Sequence, residues 1–500
     1  MAESTHGRHP SQPARERIPC PLVAASVNRF RAPLAIAAGA VLLRLISGVG
    51  FANYDTLYAL AWGGQLSRGS TPAYGVAIAP TPHPLIELLG LLLSPLSPHA
   101  VENVTVWLGF LALSACGWVI YRLGAEWFGR AAGALAAVLL LTRVPILSYG
   151  VRAYVDLPYL LLILSALLVE SRHRRAGRPV LVLLAIAGLL RPEAWVFSGL
   201  YWLYLVFWGG PEALRAGPRR ELVVLTLLTL SAPLVWMLSD LAITGNPFWS
   251  LTNTRHTADQ LHRVTGIANV PEYIPRRIGE ILRVPVLAGA ALGGVLSLLW
   301  LRRRALVGAA AGVLAVVVFA AFATTGLPIN TRYAFVAAAI LCVFCGAGVF
   351  GWTRLERSDP HRRWWMIAGA LVALALLAYA PAQYRSAHRQ LDALARQHTI
   401  EDDLVALVND HSITLRCGPV GVPNHAPVPL LALYLKTSPQ NIVSAEVRPI
   451  EFGEYADPAS ARVEQDYVLD PHDPHLPTTV PPGFTEVHGN HSWLIFQRCS

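Results

Sequence analysis

The chain has 500 residues, 54% of them hydrophobic and only 14% charged, with a mean hydropathy of +0.44. Ordinary soluble domains carry about 25% charged residues, so this composition excludes one and points to a multi-span membrane protein. The net charge of +9 is almost all arginine, Lys436 being the one lysine; the arginines sit in short clusters between apolar runs, where they orient helices, and no nucleic-acid partner is expected.

Residues 1–32 are polar and carry Arg8, Arg15, Arg17, Arg29 and Arg31. The apolar run behind them lacks a small-residue cleavage site, so the segment reads as a retained cytoplasmic tail. Apolar runs follow near 33–50, 103–121, 131–149, 154–170, 221–243, 284–301, 305–325, 332–352 and 364–381, each approaching the ~20 residues that cross a bilayer. The run 179–208 is interrupted by Arg191-Pro192-Glu193. A proline between two charges disfavours one continuous lipid-facing helix, so the run splits into two short spans with the polar trio at their turn. The expected fold is mainly α, with about eleven transmembrane helices over 33–381.

Arginine placement is an independent guide to topology. Arg122 with Arg130, the Arg172-His173-Arg174-Arg175 cluster with Arg178, Arg215 with Arg219-Arg220, Arg302-Arg303-Arg304, and Arg354 with Arg362-Arg363 all fall in loops of one parity. The positive-inside rule makes that side cytoplasmic. The same parity places the N-terminus inside the cell membrane and puts loops 51–100 and 244–283 and the tail 382–500 outside. Segment 84–96 is too short to span and ends in prolines, so it reads as a juxtamembrane or re-entrant helix.

Hydropathy falls after Gln383. An amphipathic helix is expected at 388–410 and strands at 412–417, 441–447 and 491–496, which makes 382–500 a small extracytoplasmic α/β domain. Cys417 and Cys499 end two of these strands in an oxidising compartment and form a candidate disulfide. Cys116, Cys342 and Cys345 lie within spans and read as small apolar residues.

Chemistry concentrates on the outer side. The run Asn53-Tyr54-Asp55-Thr56, then Gly69-Ser70-Thr71-Pro72-Ala73-Tyr74, then His83-Pro84-Leu85 resembles the first outer loop of the GT-C superfamily. These integral-membrane glycosyltransferases use polyprenyl-phosphate sugars and include protein O-mannosyltransferases and aminoarabinose transferases. Shorter similarities are Arg152 to Pro158 around Asp156, Gly188 to Glu193, Thr244-Gly245-Asn246-Pro247, and Asn330-Thr331-Arg332-Tyr333. The resemblance covers about 33–380. It implies transfer of a sugar from a lipid-phosphate donor to an extracytoplasmic glycan, lipid or protein, with Asp55 and Asp156 as the acidic pair. Many relatives carry paired acids in the first loop, whereas Asp55 stands alone between Tyr54 and Thr56. The resemblance therefore assigns no metal ligands and no cofactor, and a divalent ion stays an open alternative.

Physical chemistry gives Asp55 a task of its own. Inverting attack on an anomeric carbon needs one base for the acceptor proton, and a carboxylate at a water-poor surface is expected to have raised proton affinity. The leaving lipid phosphate needs positive charge instead of an acid. The structural alternative for Asp55 is a helix cap, and for Asp156 an N-cap before Leu157-Pro158. His83 reads as a phosphate or acceptor contact, or as a loop histidine without a role.

An arginine at a span edge costs about 2.5 to 3.5 kcal/mol on insertion scales, so Arg143, Arg152, Arg191 and Arg332 require partners. Arg191, Arg332 and Arg152 are the candidates for the donor phosphate, through charge-assisted and often bidentate bonds. The alternatives are an internal ion pair of Arg191 with Glu193 or another acid, and snorkelling of Arg332. Tyr54, Glu193, Arg255 and His256 are candidate acceptor or loop contacts, with a solvated amphipathic helix as the alternative for the basic stretch in 244–283. Two rival functions are a transporter or flippase of lipid-linked sugars, which internal repeats and broken midplane helices would mark, and a non-catalytic envelope scaffold.

Overall fold

The computed structural model describes residues 21–209, 218–468 and 480–499. Residues 1–20 of the expected N-terminal tail, and Arg215, lie outside the described residues. The first half forms α1 (Pro21–Ser47), α2 (Tyr54–Ser67), α3 (Pro84–Leu93), α4 (Pro98–Phe128), α5 (Arg130–Leu141), α6 (Val144–Val151), α7 (Asp156–Arg172), α8 (Arg178–Gly188) and α9 (Glu193–Phe207). The second half adds α10 (Pro218–Thr244), α11 (Trp249–Gln260), α12 (Val270–Trp300), α13 (Arg302–Thr324), α14 (Phe335–Phe350) and α15 (His361–Asn409).

Among the described residues six helices are long and apolar enough to cross a membrane: α4, α10, α12, α13, α14 with its flanking turns, and α15. The pair α5 and α6, bent by 65°, would make a seventh. The chain is a multi-pass membrane protein. The other expected spans fall on α1, α7, α8 and α9, which do not meet that test of length and composition. The polar trio does interrupt the apolar run, since α8 ends at Gly188 and α9 begins at Glu193.

Helix α14 is the buried centre, packed by α4, α5, α12, α13 and α15. Small residues permit that approach: a Cβ on Gly293 of α12 would overlap the backbone of Phe344 and Gly348 on α14, the close contact that membrane helices use in place of hydrophobic collapse. Helices α10 and α13 instead expose Leu227, Leu230, Leu234, Val313 and Val317, an apolar periphery suited to lipid. The short α3 packs on α2 where Gly63 faces the backbone of Glu87 and Leu91, and Gly90 faces Leu60.

The C-terminal part departs from the sequence reading in three ways. The expected helix at 388–410 is no separate element but the end of the 49-residue α15, which runs through position 382 without a break. The expected strand at 412–417 is an irregular turn, because the Ser412 and Thr414 amides are taken by the Asp410 and Glu454 carboxylates instead of a neighbouring strand. The sheet consists of β1 (Val420–Val422), β2 (Ile442–Ser444), β3 (Gly453–Pro458), β4 (Thr485–Gly489) and β5 (Trp493–Arg498) in the order β2-β1-β3-β5-β4. The β1 strand pairs parallel with β2 and β3, whereas β5 pairs antiparallel with β3 and β4. Helix α16 (Val428–Tyr434) packs against β2 and against α2. Cys417 and Cys499 form the expected disulfide, joining the entry to β1 to the end of β5.

This domain is fastened to the membrane helices beside the first loop. Tyr434 Oη donates to Glu102 Oε2 at 2.7 Å, Glu102 Oε1 accepts from the Ala52 amide at 3.0 Å, and Gln65 Nε2 donates to Ser438 Oγ at 3.3 Å. Phe51 stacks on His398 with ring centroids 5.6 Å apart.

Candidate active site

The Asn-Tyr-Asp-Thr run places Asp55 in the first turn of α2. The N-cap is Asn53, whose Oδ1 accepts from the Asp55 and Thr56 amides at 2.8 and 3.3 Å. Capping of this kind fills the donors a helix start leaves open, so the Asp55 carboxylate is spared that role. Asn53 N and Nδ2 donate to Arg152 O at 3.0 and 3.1 Å, and Thr56 Oγ1 donates to Ala153 O at 2.9 Å. These bonds lock the start of α2 onto the turn before α7, where Ala153 takes a φ of 47°.

Four chain segments then bring their charges together. Arg332, in the 3-10 turn Thr331–Ala334 ahead of α14, donates from Nη1 to Asp55 Oδ2 at 2.6 Å and lies 3.9 Å from Asp156 Oδ2. Arg191 donates to Asp156 Oδ1 through Nη1 and to Glu193 Oε1 through Nη2, the latter at 2.8 Å. Its guanidinium sits 4.6 Å from the Tyr333 ring centroid. Asp156, Arg191 and Glu193 are all buried, and an ionised group can stay buried only when paired. Asp156 Oδ2 and Arg332 Nε are sealed from solvent and have no hydrogen-bond partner among the described residues.

The Asp55 carboxyl departs from the sequence expectation. Burial pushes its pKa up, as anticipated, but the Arg332 guanidinium against it and, with smaller contributions, His83 and Arg263 together outweigh burial and hold the carboxyl below the usual carboxylate range. Arg332 was invisible as a neighbour in the sequence. His83 Nδ1 lies 2.8 Å from Leu190 O; a carbonyl only accepts, so Nδ1 carries the proton. Burial, with Arg191 and Arg332 nearby, depresses the His83 pKa to about 4 despite Asp55, which leaves a neutral ring.

These groups line one cavity of about 380 Å³. Its lining is charged or polar at Tyr54, Asp55, His83, Arg191, Glu193, Asp240, Arg263, Arg332 and Tyr333, and Trp195, Trp236, Met237, Phe248, Leu251, Leu261, Phe322 and Leu327 are its apolar wall residues. Helix α11 is anchored over this wall because Asp240 accepts from the Ser250 amide and hydroxyl, each at 2.8 Å, while Trp236 Nε1 donates to Ser250 Oγ at 2.9 Å. An apolar pocket with a few convergent charges is the usual form of a small-molecule or lipid site. Among the described residues no group of three or more His, Cys, Asp or Glu side chains is arranged to hold a metal ion.

Of the sequence candidates, Tyr54, Asp55, His83, Arg191, Glu193 and Arg332 line the cavity, and Asp156 pairs with the two arginines from behind. Arg152 does not line it: its guanidinium stacks on Tyr154 at 4.9 Å and Tyr149 at 5.5 Å and donates to Ser148 Oγ. Arg255 and His256 are also absent from the lining, which α11 contributes through Thr254, Thr257 and Ala258. Arg143 is satisfied by Leu139 O and Leu282 O. The sequence reading missed His425, which arrives from the C-terminal domain, Asp240 and Trp236 on α10, and Arg263, which lies in the basic stretch of 244–283. No local motif marks these four, since only tertiary packing brings them to the cavity.

No family model matches the chain, and no curated protein matches it by sequence. Solved structures do match. ArnT from Cupriavidus metallidurans, bound to undecaprenyl phosphate, superposes with a TM-score of 0.54 at 13% identity, over 93% of this chain and 98% of ArnT. The apo state of the same protein gives 0.54 at 13% identity over 94% and 98%. The Archaeoglobus fulgidus oligosaccharyltransferase gives 0.47 at 11% identity over 83% of this chain and 62% of that one. The chain has the fold of ArnT, the GT-C fold that the first-loop resemblance implies.

Proposed function

We propose that this chain is a membrane glycosyltransferase that moves a sugar, with inversion, from a polyprenyl-phosphate donor to a glycan, lipid or protein acceptor of the cell envelope. The observation that carries the reading is the Asp55–Arg332 pair on the wall of a cavity lined by both charged and large apolar side chains. That combination suits a lipid phosphate. The ArnT structure of the same fold holds undecaprenyl phosphate, which supports this donor class.

In this reading the donor phosphate enters beside Arg332 and Arg263, while Arg191 stays committed to Asp156 and Glu193. Arg332 exchanges the Asp55 carboxylate for the phosphate. Released from Arg332, its nearest cation, Asp55 feels burial more strongly, and its proton affinity rises to that of a useful base. The acceptor hydroxyl passes its proton to Asp55 as its oxygen bonds to the anomeric carbon, and the bond from that carbon to the phosphate oxygen breaks with its electron pair. Arg332 stabilises the phosphate charge that develops. Eleven crossings, a cytoplasmic N-terminus and an extracytoplasmic 382–500 domain belong to the same proposal, because they place every cavity-lining loop on the outer face.

The test is transfer of radiolabelled sugar from a defined polyprenyl-phosphate donor by purified protein in lipid nanodiscs, comparing wild type with Asp55→Asn. Labelled product from the wild type alone supports the reading. Equal product from both, or donor translocation without transfer, rejects it.

A further inference from the structure

His425 reaches the same cavity as Asp55 although it belongs to the outer domain. Its Nδ1 lies 2.9 Å from Glu446 Oε2, and its backbone amide donates to the same oxygen at 3.2 Å. A carboxylate only accepts, so Nδ1 carries a proton and the tautomer is fixed. Nε2, on the far side of the ring, has no hydrogen-bond partner among the described residues, and the side chain is 22% exposed. Glu446 is itself 12% exposed and receives the Ser444 hydroxyl at 3.5 Å, so the pair is preorganised instead of solvated.

The ring is also positioned relative to the candidate base. His425 packs edge-on against Tyr54, the residue before Asp55, with centroids 5.2 Å apart. Tyr54 Oη donates to Ile78 O at 3.1 Å, which occupies that hydroxyl. Through Tyr434, Glu102 and Ala52 the outer domain is hydrogen-bonded to the loop that leads into α2. The cavity therefore presents both the Asp55 carboxylate and, from the ring packed on the neighbouring Tyr54, the free His425 Nε2.

We propose that His425, oriented by Glu446, is an acceptor-binding residue, and that the acceptor is a polyhydroxylated ring: one hydroxyl is aimed at Asp55 while another donates to His425 Nε2. This inference rests on the transferase reading and narrows its acceptor to a carbohydrate. A site built to accept hydrogen bonds discriminates against an analogue that lacks the donor, because its own polar group is then left unpaired.

The experiment uses the full chain in nanodiscs, a polyprenyl-phosphate mannose donor, and two surrogate acceptors of matched ring size. Methyl α-D-glucopyranoside carries ring hydroxyls; tetrahydropyran-2-methanol keeps only the primary one. The readout is the ratio of the two transfer rates, measured by mass spectrometry of products. The expected result is a preference for the glucoside that falls about tenfold in His425→Phe, the size of one lost hydrogen bond. His425→Gln, whose carbonyl reaches near the Nε2 position, recovers part of that ratio, and Glu446→Ala loses part of it by freeing the tautomer. If His425→Phe keeps the wild-type ratio, the inference fails and the transferase reading stands. A ratio that falls together with the melting temperature, and that Gln does not recover, makes His425 structural and overturns the inference too. Wild type that transfers to neither surrogate nor water from any of a panel of polyprenyl-phosphate hexose and pentose donors overturns the transferase reading itself.

Discussion

Arg332 Nη1 donates to Asp55 Oδ2 at 2.6 Å across 277 positions of sequence. The pair joins the start of α2 to the turn before α14, and each member restrains the other. Asp55 is held ionised and weakly basic, and Arg332 is kept charged in a cavity with an apolar wall.

Removing the cation should therefore change the acid. In Arg332→Gln burial, the largest influence on Asp55, is no longer offset by its nearest cation, and the pKa rises above the ordinary value of ~3.9. The acid limb of the kcat/KM profile for donor consumption moves to higher pH, and activity at pH 7 falls by about two to three orders of magnitude as phosphate stabilisation is lost. The same pair has a stability signature. The Asp55 pKa is depressed in the folded state, so its contribution is present above the unfolded pKa and lost as pH falls through the folded value. Thermal unfolding of wild type against Arg332→Gln across the acid range measures it.

Arg191 should behave differently, because its two carboxylate partners are already in place. Arg191→Met leaves Glu193 buried without a cation and Asp156 with only the more distant Arg332, which costs about 3 to 5 kcal/mol. The expected outcome is a large fall in melting temperature, with Arg191→Met combined with Glu193→Gln recovering part of it. Unchanged stability in the single variant would return Arg191 to the role of a free phosphate ligand.

How much of this was legible in the sequence differs from residue to residue. The break at Arg191-Pro192-Glu193 and the Cys417–Cys499 bond could be read because their signals are local or unusual. Asp156 as the partner of Arg191, and Arg332 as the partner of Asp55, could not, since the pairings depend on how α7, α9 and α14 pack. Strand β3 went unseen because Gly453, Asp457 and Pro458 are poor strand formers; the strand exists because β1 and β5 flank it on both sides. The exposed edge strand β4 carries an irregularity at Glu486 and His488 and buries no face that would produce an alternating pattern.

His83 supplies a pH dependence of opposite origin. Burial depresses its pKa to about 4, so the unfolded chain binds the proton more readily between there and the ordinary value of ~6.5. Its contribution to stability is complete above ~6.5 and declines as pH falls toward 4. Melting temperatures of wild type and His83→Gln at pH 5 and pH 7 should show a larger acid loss in the wild type.

The Cys417–Cys499 bond closes a separation of 82 residues. Chain-entropy arguments give a loop of that size about 4.5 kcal/mol at most, and the bond ties the start of the sheet to its last strand. Cys417→Ser with Cys499→Ser should make the C-terminal domain markedly more sensitive to limited proteolysis. Reductant should reproduce that sensitivity in the wild type and add nothing in the variant.

The central claim is that Asp55 acts on a lipid-phosphate sugar held by Arg332. Native mass spectrometry of wild type and Asp55→Asn, each incubated with a polyprenyl-phosphate sugar and a hydroxyl acceptor such as methyl α-D-glucopyranoside, tests it most directly. The account predicts that Asp55→Asn retains the intact donor mass at about wild-type occupancy, while the wild type converts it to the bare polyprenyl phosphate. Conversion at the same rate in both proteins, or no donor retained by either, would contradict it.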